Sequence, residues 1–188
     1  MRTRILEVLG IILLIAAALV GSFFLADYVQ SNGTARQLVE HFGYLGIFLV
    51  ALLIGLNLFL PVPAATFTPI FVSAGLPIPG IIVTLVLGAL VADTIGYLIG
   101  LGGRHITRHT SPALQKKMQS FAERHHALLL PFVFLYSAFS PFPNEVIIIP
   151  LAIMGIRFRV LFLPLLLGTI LYEGLLAYGA TSAFQYFF

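Results

Sequence analysis

The sequence predicts an all-α polytopic membrane protein, in which two inverted repeats follow an N-terminal transmembrane helix. Three observations predict it. The chain of 188 residues is 60% hydrophobic and 9% charged, with a mean hydropathy of +1.05; soluble domains carry about 25% charged residues. Between Glu40 and Asp93 there is no Asp, Glu, Lys or Arg, and a soluble fold of this size has no way to hide so much apolar surface. The basic residues fall between the apolar runs, where positive-inside sorting beside anionic lipid puts them.

The length allows one compact bundle and no separate soluble domain. The net charge of +3 and pI of about 9.5 therefore read as membrane sorting, not as nucleic-acid binding. Cysteine is absent, so disulfides, thiol catalysis and cysteine metal sites are excluded.

The first apolar run, Val8–Ala26, follows Arg2 and Arg4. It is longer than a signal-peptide core of about 7–15 residues and no small-x-small site follows it. A retained span with an external linker, residues 1–39, is expected, with a signal peptide as the alternative. Gly43–Leu60 reads as a helix, ended by Pro61-Val-Pro63, Pro69 and Gly75-Leu-Pro-Ile-Pro-Gly80. The piece Ala64–Ala74 is too short to cross about 30 Å at about 1.5 Å per residue. Gly43–Ala74 is thus expected to enter the bilayer and return as a re-entrant hairpin, and a true span follows from about Ile81 to Leu101. Gly102–His126 reads as a basic loop with an interfacial helix over Pro112–His125, started by Ser111 and Pro112. Ala127–Ser140 and Val146–Gly155 are two more short arms around Pro141-Phe-Pro143-Asn144-Glu145, and the last span runs from about Val160 to Thr181.

Shifting the chain by 80 residues superimposes Phe59 on Phe139, Pro61 on Pro141, Pro63 on Pro143, Gly75 on Gly155, Gly88 on Gly168 and Asp93 on Glu173, without a gap. The expected membrane domain, 40–188, is therefore repeat 1 (about 43–101), the loop 102–126 and repeat 2 (about 127–181). Each repeat is a hairpin plus one span, so the second must be upside down. With the N-terminus in the cytoplasm, Arg2, Arg4, Arg104, Arg108, Lys116, Lys117, Arg124, Arg157 and Arg159 lie inside and only Arg36 lies outside. Opposed hairpins of this kind are an architecture of secondary transporters.

The candidate site follows from polar groups at membrane depth. Asp93 and Glu173 lie near the middle of their spans, where a charge costs about 2.5–3.5 kcal/mol. They read either as interhelical ties or as protonatable, substrate-facing carboxylates. Tyr97 is one turn after Asp93 and is placed to donate to it. Gly88, Ala92, Gly96 and Gly100 form a close-packing stripe. Glu145 falls in the first turn of a half-helix starting near Pro143, where up to four N–H groups lack partners and the dipole favours negative charge. It reads either as a cap or as a proton or headgroup site. Asn57 and Asn144 flank the two breaks, which Pro61, Pro63, Pro141 and Pro143 define. His105 and His109 are spaced i, i+4 but lack a third ligand, so no metal and no cofactor is expected. No nucleophile elbow, phosphate loop or zinc-protease motif occurs, so an enzyme is not expected. Asn32-Gly-Thr34 fits the glycosylation pattern.

Phe139-Ser-Pro-Phe-Pro-Asn-Glu-Val-Ile-Ile-Ile-Pro150, Gly88…Asp93…Gly96-Tyr97…Gly100 and Asn57-Leu-Phe-Leu-Pro-Val-Pro63 resemble the DedA superfamily, also called the VTT or SNARE-associated membrane family. The resemblance covers about residues 40–181. It implies opposed re-entrant hairpins and a lipid translocator of the cell membrane, handling phospholipid or polyprenyl-phosphate headgroups, proton-coupled in some members. Many members carry an acid after the first Pro-x-Pro, where this chain has Ala64-Ala65-Thr66, and arginines around the second hairpin, where Ser137–Pro143 has none. The expected partners are membrane lipids and protons; a homo-oligomer stays open. The competing readings are a proton- or cation-coupled exporter of a small solute and a non-transporting membrane assembly factor that docks a partner through its basic loop.

Overall fold

The computed structural model describes residues 2–56, 62–110, 120 and 126–187. Every regular element among them is helical. In order these are α1 (Arg2–Ser31), α2 (Gly33–Gly55), a 3-10 turn (Ala64–Phe67), α3 (Thr68–Ser73), α4 (Ile78–Thr110), α5 (His126–Phe139), α6 (Glu145–Met154) and α7 (Phe158–Phe187). Four helical segments are long and apolar enough to cross a membrane: Ile12–Ser31, Gly33–Gly55, Ile78–Arg104 and Phe158–Phe187. Leucines and phenylalanines such as Leu13, Phe24, Leu53, Leu98 and Leu163 point outward along these helices, which only a lipid solvent makes favourable.

The helices exceed their expected bounds for identifiable reasons. Asn32 alone interrupts α1 and α2, so most of the expected external linker is helical. Its side-chain oxygen accepts from the N–H groups of Thr34 and Ala35, both at 3.1 Å, and so caps α2. With that cap, α2 starts ten residues before Gly43 and reaches spanning length. At the other end of the first half, α4 runs past Gly102-Gly103 to Thr110. A glycine costs a helix only about 1 kcal/mol, too little to stop one already nucleated. Residues 102–110 are therefore helix, not loop. The expected interfacial helix over Pro112–His125 lies almost wholly outside the described residues.

Two pairs of helices meet through glycine. A Cβ added at Gly88 on α4 would lie 2.7 Å from the Phe48 carbonyl oxygen and 2.7 Å from the Ala51 Cβ on α2. A Cβ added at Gly168 on α7 would lie 2.8 Å from the Phe134 carbonyl oxygen and 2.5 Å from the Ser137 Cβ on α5. The short helices end alike as well. Gly75 (φ 101°) and Gly155 (φ 91°) are left-handed. In each, the glycine N–H donates three residues back, to Val72 at 2.9 Å and Ala152 at 3.0 Å. The next N–H reaches five back in each, to Phe71 and Leu151, both at 3.1 Å. This double bond satisfies carbonyls that the helix end leaves open.

These paired contacts correct the expected register. Gly75 and Gly155, Gly88 and Gly168, and the buried pairs Ile81 with Leu161 and Leu85 with Leu165 all keep the offset of 80. The first arms do not: Phe48, Ala51 and Leu52 occupy the places of Phe134, Ser137 and Ala138, an offset of 86. The first half therefore holds six more residues between its arm and its Pro-x-Pro break, and a gapless superposition fails there. Packing between the halves is crosswise: α6 lies on α4, and the 3-10 turn with α3 lies on α7. The helix α1 covers α3 and touches α7 through Phe23 and Phe184, whose rings are 5.6 Å apart.

Candidate functional site

Crosswise packing brings the two chain breaks together. Val62, Pro63 and Ala64 from the first half and Ser140, Pro141, Phe142, Pro143, Asn144 and Glu145 from the second line one cavity. Asp93 reaches it from α4, and Thr169, Tyr172 and Glu173 from α7. The cavity offers about 70 Å³ of free space, room for a small polar group and less than the roughly 300–1,000 Å³ of a drug-sized ligand pocket.

Three acids share this cavity in near-complete burial: Asp93 is 2% exposed, Glu145 3% and Glu173 6%. Their partners are unequal. The Asn144 amide donates to Asp93 Oδ2 at 3.2 Å and to Thr169 Oγ1 at 3.3 Å. The Ala65 backbone N–H donates to the Glu173 carboxyl, leaving Glu173 Oε2 without a partner. Neither Glu145 oxygen has a hydrogen-bond partner. Asp93 is thus held by the break of the second half and Glu173 by the break of the first. Three bare carboxylates in apolar surroundings would repel one another, so protons or a cation must balance them. Among the described residues, no Lys, Arg or His lines the cavity.

The stripe on α4 makes this geometry possible. Gly88 seats α2, and a Cβ at Gly100 would lie 2.7 Å from the Ile149 carbonyl oxygen on α6. Between them, Gly96 faces Glu145: a Cβ there would fall 2.8 Å from Glu145 Cγ. A bare backbone at 96 is what gives the glutamate its room.

Of the expected site residues, the structure gathers Asp93, Glu145, Glu173, Asn144, Pro63, Pro141 and Pro143. Asn57 and Pro61 lie outside the described residues, as do the side chains of His105 and His109. Tyr97 departs from expectation. Its hydroxyl donates to the Ile156 carbonyl at 3.0 Å, and its ring packs on Phe158 with centroids 5.1 Å apart. Facing the loop between α6 and α7, it does not serve Asp93, whose donor is Asn144. The Glu145 oxygens form no capping hydrogen bond, and the one backbone donor near them is the N–H of Glu145 itself. Sequence reasoning missed Thr169 and Ser137. Thr169 stands one turn before Glu173 and so shares its face, a signal that was readable. Ser137 sits in an apolar arm with nothing nearby to mark it. Among the described residues no group of three or more His, Cys, Asp or Glu is placed to hold a metal ion.

Comparison with protein-family models, curated proteins and solved structures returned no match. The fold and site define a polytopic α-helical membrane protein with an acidic cavity between its two halves.

Proposed function

We propose that this protein is a membrane lipid translocator of flippase or scramblase type, built on the DedA-like plan of two inverted repeats. Each repeat is a helical hairpin plus a span: α2 through α3 with α4, where α2 is itself long enough to cross, and the short arms α5 and α6 with α7. The N-terminus and residues 102–126 face the cytoplasm of the cell membrane. The paired glycine contacts and paired left-handed caps support the repeat, and the distribution of arginine and lysine supports the orientation. One observation carries the functional reading: both chain breaks and three buried acids converge on one cavity near the middle of α4 and α7. Irregular backbone at membrane depth is stable only where it lines such a cavity. Rocking of one half against the other about this site would alternate its access.

The test is flip-flop of fluorescent lipids in vesicles reconstituted with the purified protein. Wild type should accelerate flip-flop over empty vesicles, and the double substitution Asp93→Asn with Glu173→Gln should lower it while the protein stays folded. Flip-flop no faster than in empty vesicles removes the reading. The absence of basic residues from the cavity wall also favours a second reading, a proton- or cation-coupled exporter of a small solute. Solute-driven proton flux without lipid movement would select it.

A further inference from the structure

The cavity carries a specific demand that translocation in general does not explain. Its unsatisfied groups are all acceptors or hydroxyls: both oxygens of Glu145, Oε2 of Glu173 and Oγ of Ser137. An unsatisfied buried polar group destabilises the fold, and more so when it is charged. Among the described lining residues the side-chain donors are neutral, the Asn144 amide and the hydroxyls of Ser137, Ser140, Thr169 and Tyr172, and none is bonded to Glu145. A partner that brings both hydrogen-bond donors and positive charge would satisfy the open acceptors.

Three classes of partner can be compared. An anionic phosphate meets carboxyls and no lysine, arginine or histidine. A lone metal ion needs several ligands around one point, and no such group exists among the described residues. A quaternary ammonium brings charge but no N–H. A primary ammonium brings one charge and three N–H donors, matching acceptors spread over α5, α6 and α7. Charge-assisted bonds of this type are about twice as strong as neutral ones, and an apolar wall strengthens them further.

We infer that this cavity binds a primary ammonium group, with Glu145 as its main acceptor and Glu173 as its second. The inference rests on the translocator reading for the site and names the headgroup class. The other ionisable lining groups are Asp93, occupied by Asn144, and Tyr172. Pro63 also walls a second cavity, formed by Ile15, Leu19, Thr66, Leu176, Gly179, Ala180 and Ala183. No charged residue lines it, so an ammonium on an apolar tail has a place for both its parts.

Calorimetric titration of the purified full-length protein in a non-ionic detergent tests this with four probes: propylammonium, dodecylammonium, dodecyltrimethylammonium and dodecanoate. Dodecylammonium should bind saturably, and at least about tenfold more weakly to Glu145→Gln and to Glu173→Gln. Dodecyltrimethylammonium and dodecanoate should bind no better than those variants bind dodecylammonium. Binding of propylammonium at comparable affinity would assign the site to free amines; binding of dodecylammonium alone would assign it to amphiphiles. Either supports the inference. Competition between the two amines on wild type gives a readout that does not depend on a variant folding. Absence of amine binding, equal binding of the quaternary probe, or affinity unchanged in both variants overturns it. Lipid flip-flop without amine binding would leave the translocator reading standing and remove this one, and amine binding without flip-flop would do the reverse.

Discussion

At the scale of single residues, Asn144 and Gly96 do more than their types suggest. The Asn144 amide bridges Asp93 and Thr169, so it ties α6 to both α4 and α7. Asn144→Leu strands both acceptors and should cost about 1–3 kcal/mol of stability, read as a lowered thermal unfolding midpoint in detergent. Gly96→Ala should behave differently. The helix gains propensity from alanine, yet the added carbon falls on Glu145 Cγ, so the glutamate must move. Near-normal expression with a marked loss of transport is expected, measured as flip-flop per folded protein. Glu145→Gln and Glu145→Asp separate a titrating carboxyl from a neutral one through the pH profile of flux. Three superimposable profiles across wild type and both variants would show that proton exchange at 145 plays no part. The placement of Glu145 at the second break was visible in sequence, as an acid beside Pro141-Phe-Pro143 in an apolar chain. Its lack of a partner was not, because that depends on how α4 and α6 approach through Gly96 and Gly100.

Among the elements, the short helices α3 and α6 depend on their ends. Gly155 is left-handed, and a Cβ there would lie 2.7 Å from Arg104 Nη2 at the end of the α4 span. That guanidinium sits by the C-terminal carbonyls of α6, where a cation is favoured. Gly155→Ala thus incurs about 1–2 kcal/mol for the backbone and displaces Arg104 as well. Gly75→Ala meets Arg36 Nη2 only at 3.7 Å and should be the milder of the two, a ranking that paired thermal melts will check. Element boundaries were the least legible feature of the sequence. Proline and glycine clusters located the second break, between Phe139 and Glu145, because those residues act locally; most of the first lies outside the described residues. They did not locate the start of α2 or the end of α4, where one capping side chain at Asn32 and the small helix penalty of Gly102-Gly103 decide. Tyr97 was misread for the same reason: spacing along one helix placed it near Asp93, but Ile156 and Phe158 from another part of the chain hold it elsewhere.

For the molecule as a whole, the proposed orientation rests on charge placement, and the absence of cysteine makes it measurable. A single cysteine introduced at position 117 should resist impermeant reagent applied to intact cells, whereas one at position 77 or 79, both exposed, should react. The opposite pattern would invert the topology. The crosswise holding of the acids has a consequence for inheritance and repair. Asp93 is completed by Asn144, and Glu173 by Ala65, so neither half closes around its own acid. Two copies of the second half would crowd glutamates together with no Asp93. Two copies of the first would set Asp93 against Ala64 and Ala65. In this sense the chain is an obligate heterodimer joined end to end. Expressed as two polypeptides cut between residues 111 and 119, it should regain function only when both are inserted in one membrane. Second-site suppressors of a lesion at Asp93 should then arise around 144 and 145, in the opposite half.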